Sequence, residues 1–294
     1  MDISSKEGIK MLFNGKGIKP SKGLGQNFLI DEEIVEKMIK TADLKPSDTV
    51  LEIGPGAGTL TEKLAQKVKI VIAVEKDPKM AGVLRETIGK SKNVEIIEED
   101  ILKIFNFQFS IFNKFLISNY KIIANLPFYL TSPVIRMFLE AENPPTEMTL
   151  IIQKEVAQRI CSNPPDMSIL AVSVQIYSKP ETICYIPKEY FWPQPKVDCA
   201  IIKIIPLINA NKKLTNTDTK QFFRIVKTGF SHPRKQLINN LKQLKLSREE
   251  IEKWLSANGI NPTQRAETLT VDQWINLLKT FPHKISANQL DPKF

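Results

Sequence analysis

Two short segments of the sequence combine residue types that could hold a cofactor and a flat nitrogenous base. The first, Glu52–Gly58, reads EIGPGAG, and its Gly54 and Gly56 would let a ligand approach the backbone closely. The second, Asn125–Phe128, reads NLPF and places an amide, a proline and an aromatic ring together. Together the two segments suggest a methyl donor on one side of a site and an adenine on the other.

The NLPF segment suits an exocyclic amine on a base. The side-chain oxygen of Asn125 and the carbonyl of Leu126 can each accept a hydrogen from one NH2 group. Pro127 restricts the backbone so that both acceptors point the same way, and Phe128 offers a ring for stacking. Accepting both N–H bonds favours a pyramidal nitrogen with a free lone pair, so methyl transfer depends on proximity and orientation. An isolated NLPF is more often a simple turn, so its position along the fold matters.

A second aromatic segment, Tyr190–Asp198, reads YFWPQPKVD. Its prolines predict a rigid loop that holds Phe191 or Trp192 over a base from the opposite face. A buried aromatic loop in the core is the alternative interpretation. A base reached in this way must be single-stranded or flipped out of its stack.

The elements that must position these segments alternate between strand and helix. Near-continuous apolar strands separated by helices are typical of a parallel sheet covered on both faces, where ligands bind at the carboxyl ends of the strands. The residues expected at those ends are glycine or polar: Gly54, Glu75, Asp100 and Asn125. The strands are predicted at 49–53, 69–74, 94–97, 121–124 and 200–205. A Phe- and Asn-rich insertion at 101–120 separates the third of these strands from the fourth.

The predicted cofactor is S-adenosylmethionine. Glu75 follows Gly54 by 21 residues, at the end of the next strand, as a carboxylate that binds a ribose should. A nicotinamide enzyme shares this pattern and is an alternative, although no hydride-site acid and base pair follows. Glu52 and Asp100 fit a ligand that carries a sulfonium and an ammonium better than one that carries phosphates.

Positive charge is concentrated towards the C-terminal end. The net charge is +9, and residues 207–294 hold 15 Lys and Arg against 7 Asp and Glu, whereas residues 1–206 hold 26 against 25. A solvated helical face would explain such a basic run, and so would a surface for a polyanion, where released counterions drive binding. The predicted RNA-binding residues are Arg224, Lys227, Arg234 and Lys235.

Composition and pattern divide the chain into three parts: a flexible basic arm at 1–22, an α/β domain at 23–206 and a helical basic domain at 207–294. The three cysteines are far apart and only two histidines are present, so neither a metal site nor a disulfide framework is expected. The chain has no signal-peptide core and no run of the ~18 apolar residues that a membrane span needs. The cytoplasm is therefore the expected compartment.

The order of these motifs along the chain resembles that of the bacterial small-subunit ribosomal RNA adenine dimethyltransferases of the KsgA/RsmA type. The resemblance runs from Gly23–Leu29 (GLGQNFL) to Arg265–Leu269 (RAETL). It implies a Rossmann-like class I methyltransferase domain with a small, mainly helical C-terminal domain. It also implies dimethylation of N6 on two adjacent adenosines in the 3′-terminal hairpin loop of small-subunit (16S) rRNA, within the immature 30S subunit. A monomer is expected.

The same resemblance implies roles for the cofactor-binding residues. Asn27 and Leu29 would close over S-adenosylmethionine; Gly54 would contact its methionine portion, Glu75 its ribose, Asp100 its adenine amine and Asn125 the methyl-transfer end. Three positions depart from the bacterial pattern: Phe128 stands where Tyr is usual, Cys199 where Ser is common, and Pro233 where a second Arg is typical.

Besides the nicotinamide enzyme, the sequence leaves two other functions open. The erythromycin-resistance type methylates large-subunit rRNA, and the segments 190–198 and Phe230–Leu241 favour the small-subunit type over it. A non-catalytic RNA-binding assembly or transcription factor could have kept the same fold. The presence of both Asn125 and Glu75 argues for an enzyme instead.

Overall fold

The structure is a computed structural model that describes residues 3, 5–104, 119–207 and 216–282. Most of the Phe- and Asn-rich insertion, from 105 to 118, lies outside the described residues. The chain forms two compact units, Met1–Gln158 with Lys179–Pro206, and Arg159–Ser178 with Leu207–Phe294. In the described part of the chain, no helix combines the length and the apolar character that crossing a membrane requires.

The first unit is built on a seven-stranded sheet with strand order β4-β3-β2-β5-β6-β9-β7, and a separate pair joins β1 and β8. The five strands from β4 to β6 are parallel, and β9 runs antiparallel to β6. The strands are β1 (Phe28–Leu29), β2 (Thr49–Ile53), β3 (Ile70–Glu75), β4 (Val94–Glu98), β5 (Lys121–Asn125), β6 (Glu147–Gln153), β7 (Ser178–Ile186), β8 (Phe191–Trp192) and β9 (Cys199–Pro206).

Helices follow the parallel strands in the alternating pattern that the sequence predicts, so the α/β prediction is confirmed. Local chemistry starts them: the Asp31 carboxylate accepts from the amide of Ile34, 2.9 Å away, at the start of α2. Asp77 caps α4, and Pro78 occupies its first turn. The helices of this part are α1 (Lys6–Gly15), α2 (Glu32–Thr41), α3 (Thr59–Ala65), α4 (Pro78–Ile88), α5 (Ile101–Ile104), α6 (Thr131–Leu139) and α7 (Lys154–Ile160).

The first described helix differs from the flexible arm that the sequence predicts for residues 1–22. Ser5 caps α1, and its side chain accepts from the amide of Gly8 at 3.1 Å. Ile9, Leu12 and Phe13 are buried on one face of this helix. Their spacing of three and four residues is the amphipathic pattern that drives helix packing. The composition of residues 1–22, which is polar and basic, does not reveal this pattern.

Strand order creates a switch point between β2 and β5. From β2 the chain moves outward through β3 and β4, and it then crosses back to place β5 on the other side of β2. Connections therefore leave these two neighbouring strands in opposite directions, which opens a crevice at their carboxyl ends. Gly54 follows β2 and Asn125 ends β5, so both segments singled out in the sequence lie at this crevice.

The second unit is helical, and it contains α8 (Ile169–Gln175), α9 (Asn216–Gly229), α10 (Leu237–Leu241), α11 (Arg248–Ala257) and α12 (Val271–Lys279). Its core includes the fully buried rings of Phe222 and Trp274. The sequence pattern places Leu170–Tyr177 in the first domain, but the structure places the segment Arg159–Ser178 in this unit. One reason is a backbone hydrogen bond from Met167 to Glu267, 3.0 Å long, which joins this segment to the C-terminal region.

Candidate methyl-transfer cleft and basic surface

One cleft of the first unit, at the switch point, brings the separate motifs together. Its lining includes residues contributed by the ends of four neighbouring parallel strands, by β1 and by β8. All the residues predicted for cofactor binding and for the target base line it, namely Asn27, Leu29, Gly54, Gly56, Glu75, Asp100, Asn125, Leu126, Pro127, Phe128 and Phe191.

The glycine turn after β2 needs glycine for both conformation and space. Gly56 has a φ of 58° and Gly58 a φ of 95°, in the left-handed region that other residues rarely adopt. A Cβ on Gly56 would lie 2.8 Å from the ring of Phe28, and one on Gly58 would lie 2.8 Å from Ile88. At Gly54 and Gly56 the turn therefore exposes backbone without a side chain to the cleft, whereas Gly58 allows the turn to pack closely against α4.

Glu75 is held beside this turn by two backbone amides. Its Oε2 accepts from Gly56 at 3.2 Å, and its Oε1 accepts from Asp77 at 2.9 Å. Burial raises the pKa of its carboxyl, while these amide bonds act to lower it. Because each carboxylate oxygen has a second lone pair, Glu75 keeps capacity to accept hydroxyl groups from a ligand.

Glu52 lies in the wall of the same cleft and is 1% exposed. Burial raises the pKa of its carboxyl to about 8; the Thr61 hydroxyl opposes this rise, and the negative charge of Glu75 adds to it. Its Oε2 has no hydrogen-bond partner among the described residues. An ionised Glu52 would therefore be stabilised by a cationic ligand, as a buried charge needs an opposite charge nearby.

Asp100 stands at the third strand end. Its Oδ2 pairs with the ammonium of Lys76 at 2.8 Å, and its Oδ1 accepts from the amide of Leu102 at 3.0 Å. Burial alone would raise the pKa of this carboxyl, but the hydrogen bonds from Lys76 and Leu102 lower it below its usual value. Asp100 is thus a carboxylate acceptor at neutral pH.

Asn125 is fixed by a contact that orients its amide. Its Nδ2 donates to the backbone carbonyl of Asn27, 2.9 Å away. Since a carbonyl oxygen can only accept, this bond requires the nitrogen to face Asn27. The opposite atom, Oδ1, accepts no hydrogen bond within the described part of the chain. Asn27 is itself fixed, because its Nδ2 donates to the carbonyl of Gly25 at 3.1 Å.

The rest of the NLPF segment is held by its backbone. The amide of Leu126 donates to Ile151 in β6 at 3.1 Å, and the carbonyl of Pro127 accepts from Leu130 at 2.9 Å. The Phe128 ring is half-buried against the core of the unit. The next ring is more open: Tyr129 also lines the cleft and is 47% exposed.

Phe191 meets the cleft as part of its wall. It is 3% exposed and packs in the same core cluster as Leu29 and Cys199, because β8 pairs with β1. The sequence predicts a ring that stands over the base from the opposite face. The structure instead matches the alternative of an aromatic loop packed into the core, and Trp192 packs against α1 rather than into the cleft.

The four predicted RNA-binding residues lie in the second unit. Arg224 and Lys227 are on α9, and Arg234 and Lys235 are in a loop whose residues 231–236 are all exposed. The buried Asn240 closes this loop at its base, because its Nδ2 donates to the carbonyls of Gly229 at 2.6 Å and His232 at 3.1 Å.

Tyr129 and Phe28 are among the cleft residues that the sequence analysis does not identify. Tyr129 directly follows the NLPF segment, and a second aromatic beside the first is the signal that could have identified it. Phe28 lies between Asn27 and Leu29, and its ring contacts the glycine turn. Nothing in the sequence alone shows that contact, because β1 and the glycine turn after β2 meet only in the folded protein.

Comparison with known proteins agrees with this geometry. Residues 18–282 match the model of a family described as ribosomal RNA adenine dimethylase. A protein from Dehalococcoides mccartyi named ribosomal RNA small subunit methyltransferase A is 41% identical, with 91% of this chain and 90% of the relative covered. One of the same name from Alkaliphilus oremlandii is 38% identical, with 96% and 99% covered.

Solved structures show the same likeness. A dimethyladenosine transferase from Plasmodium falciparum has a TM-score of 0.70 at 28% identity, covering 85% of this chain and 96% of that one. The 23S rRNA methyltransferase ErmE has a TM-score of 0.68 at 25% identity, covering 86% and 98%. With its motifs in one cleft and residues 18–282 matched by the family model, the chain belongs to the ribosomal RNA adenine dimethylase family.

Proposed function

We propose that this enzyme uses S-adenosylmethionine to dimethylate N6 of two adjacent adenosines in the 3′-terminal hairpin loop of 16S rRNA. The observation that carries the proposal is the fixed amide of Asn125. Its Nδ2 is committed to Asn27, so its Oδ1 is available at the cleft to accept a hydrogen from an adenine amine. Asn125 stands beside a glycine turn and three carboxylates that suit the donor.

The chemistry of the cleft fits S-adenosylmethionine. Glu52, Glu75 and Asp100 all line it, and Lys76, the one basic residue in the described lining, is paired with Asp100. Glu52 is protonated in the free protein below about pH 8, but it can ionise beside a cationic ligand. The three acidic groups therefore favour a ligand with a sulfonium and an ammonium over one with a pyrophosphate, which argues against a nicotinamide dinucleotide. The bound donor supplies an electrophilic methyl group on sulfur.

The chain's own residues orient the acceptor amine. In this proposal Asn125 Oδ1 and the Leu126 carbonyl accept the two N6 hydrogens, which frees the nitrogen lone pair for attack. The Phe128 ring supplies a stacking surface worth about 1–3 kcal/mol per base. The proton can leave after transfer, so positioning provides the rate gain without a strong general base. The adenosine must be unpaired or flipped to enter.

The small-subunit substrate is supported by the relatives that share about 40% identity, since both are named for that subunit. One solved neighbour, ErmE, is a large-subunit enzyme, which keeps that substrate as the competing possibility. The exposed basic loop of the second unit offers charge for the RNA backbone. We propose the immature 30S subunit as the substrate and a monomer as the active form, at work in the cytoplasm where subunits assemble.

Methylation of purified ribosomal subunits tests the proposal. Small subunits that lack these methyl groups are incubated with the protein and labelled S-adenosylmethionine, and the labelled nucleotides are mapped; large subunits serve as the matched substrate. We expect two labelled, adjacent adenosines in the 3′-terminal hairpin loop. Label confined to large-subunit RNA would overturn the substrate, and no label in either RNA would overturn the activity.

A further inference from the structure

The N-terminal helix α1 packs directly behind the donor side of the cleft. Its buried residues Ile9, Leu12 and Phe13 form one apolar cluster with Ala57 of the glycine turn and with residues of α4. Phe28 and Trp192, from the paired strands β1 and β8, pack against the same cluster. The helix thus contacts both parts of the chain that would enclose the donor.

A chain of aromatic contacts links this helix to the glycine turn. The ring of Phe13 lies edge-on to the ring of Phe28, with centroids 5.1 Å apart and an interplanar angle of 90°. The Phe28 ring in turn lies against the backbone of Gly56, so close that a Cβ there would be 2.8 Å away. Phe28 is flanked in sequence by Asn27 and Leu29, and both of these line the cleft.

A second contact ties the start of the chain to the other end of the turn. The Thr59 hydroxyl donates to the carbonyl of Ile3 at 2.7 Å. Thr59 is the first residue of α3, directly after Gly58. Lys16, just beyond α1, forms an ion pair with Glu86 of α4. The segment before Gly17 is therefore anchored at both of its ends to the elements around the turn.

We propose that α1 is a positioning element for donor binding. Phe13 holds Phe28 against Gly56, and this contact fixes the segment Asn27–Leu29 over the glycine turn. Without the Phe13 ring, Phe28 gains free rotamers, and the segment must be ordered again each time the donor binds. This inference rests on the proposed function, because it assigns a role within the same donor site.

Binding of S-adenosylhomocysteine, the unreactive product, measures this role by calorimetry. Loss of one edge-on ring contact predicts that Phe13→Ala raises its Kd about tenfold. Phe13→Leu restores the apolar volume and should bring the Kd back to within about threefold of the wild type. The matched control is Phe138→Ala, because Phe138 is also buried in the first unit but does not line the cleft. Its Kd should stay within about twofold.

Kinetics separate positioning from a general loss of active enzyme. At saturating donor, the kcat of Phe13→Ala should stay within about threefold of the wild type while the KM for the donor rises, since bound donor restores the closed segment. Equal Kd values for the wild type and Phe13→Ala would overturn the inference. An increase of the same size in Phe138→Ala would overturn it as well.

Hydrogen exchange on the wild type covers the case in which Phe13→Ala fails to fold. Because coupling is reciprocal, S-adenosylhomocysteine should slow exchange of the α1 amides after Ile9. Unchanged exchange there would contradict the inference. If the wild-type protein binds no S-adenosylhomocysteine at all, the proposed function fails; if it binds normally and α1 shows no effect, only the role of α1 fails.

Discussion

The two units of the molecule differ in where their functional charged residues lie: the first unit buries them, and the second exposes them to solvent. In the first unit, Glu52 and Glu75 are buried beside the cleft, and their chemistry depends on specific contacts with the backbone and with each other. In the second unit, Arg234 and Lys235 are exposed on a loop. Orienting a reacting amine requires groups that cannot move, whereas neutralising a phosphate backbone requires only mobile charge near it. The difference predicts that mutations will separate chemistry from RNA affinity.

The largest effect is expected from Asn125→Ala in the first unit. Losing the oriented Oδ1 removes the acceptor that we propose for the reacting nitrogen, so kcat should fall about 100- to 1,000-fold. The Kd for S-adenosylmethionine should change by less than about fivefold, because the carboxylates and glycine turn remain. Single-turnover methylation and calorimetry measure the two quantities.

Asn93→Ala is the control for this change. The Asn93 side chain also donates to backbone carbonyls, those of Ala65 and Val68, but it does not line the cleft. It should lower stability and leave kcat nearly unchanged. Wild-type activity in Asn125→Ala would show that the amide has no role in the reaction.

The buried Glu52 predicts a pH-dependent stability for the free enzyme. The unfolded chain releases this proton near the ordinary pKa of 4.5, whereas the folded protein keeps it until about pH 8. Between these values the folded state binds more protons, so stability falls as pH rises, by roughly 4–5 kcal/mol in total. Thermal unfolding from pH 5 to 8.5 should show a falling Tm.

Glu52→Gln cannot titrate, so it should flatten most of this slope. Some slope of the same sign should remain, because the pKa of Glu75 is also raised by burial. A wild-type Tm that rises over this range, or an unchanged slope in Glu52→Gln, would show that the buried carboxyl is ionised in the free enzyme.

In the second unit, Arg234→Ala combined with Lys235→Ala should weaken RNA binding and reduce its salt dependence. Two lost phosphate contacts lower the slope of log K against log salt by about 1.4–1.8. Donor affinity should stay the same. The control pair, Lys90→Ala with Lys92→Ala, removes two exposed lysines of the first unit. An equal loss of slope in the control pair would mean that the basic loop has no special part in RNA binding.

The smallest effect is expected at the mouth of the cleft. Tyr129→Ala should raise the KM for RNA about five- to tenfold through lost stacking, with the donor Kd unchanged, and Tyr129→Phe should be neutral. Tyr185→Ala is the control, since Tyr185 is 49% exposed but does not line the cleft. If both alanine variants behave alike, Tyr129 does not stack on the substrate.

The sequence predicts the sheet well because its strands are buried on both faces. Near-continuous apolar runs such as Ile70–Val74 are typical of strands that helices cover on both faces of a parallel sheet. Order along the chain then places Gly54, Glu75 and Asn125 at one edge. The short pair β1 and β8 could not be predicted, because two-residue strands have no period and their pairing joins residues 162 and 164 positions apart.

A site residue can be predicted from the sequence when its place at a strand end is enough to bring it into the cleft. It is harder to predict when its orientation or exposure depends on contacts with residues distant in sequence. Glu75 follows from spacing alone. The orientation of Asn125 does not, because it depends on the carbonyl of Asn27, 98 residues away in sequence. The burial of Phe191 could not be predicted either. The motif identifies the aromatic residue, but only its packing with Leu29 and Cys199 in the structure shows that the ring is buried.

The central claim is that one cleft holds the methyl donor next to Asn125 and Phe128. A crystal structure of the protein with S-adenosylhomocysteine bound would test this claim most directly. We predict the ligand's ribose hydroxyls within about 3.2 Å of the Glu75 carboxylate, and its sulfur on the side of the cleft that faces Asn125. A ligand bound elsewhere, or one whose sulfur points away from Asn125 and Phe128, would contradict the account.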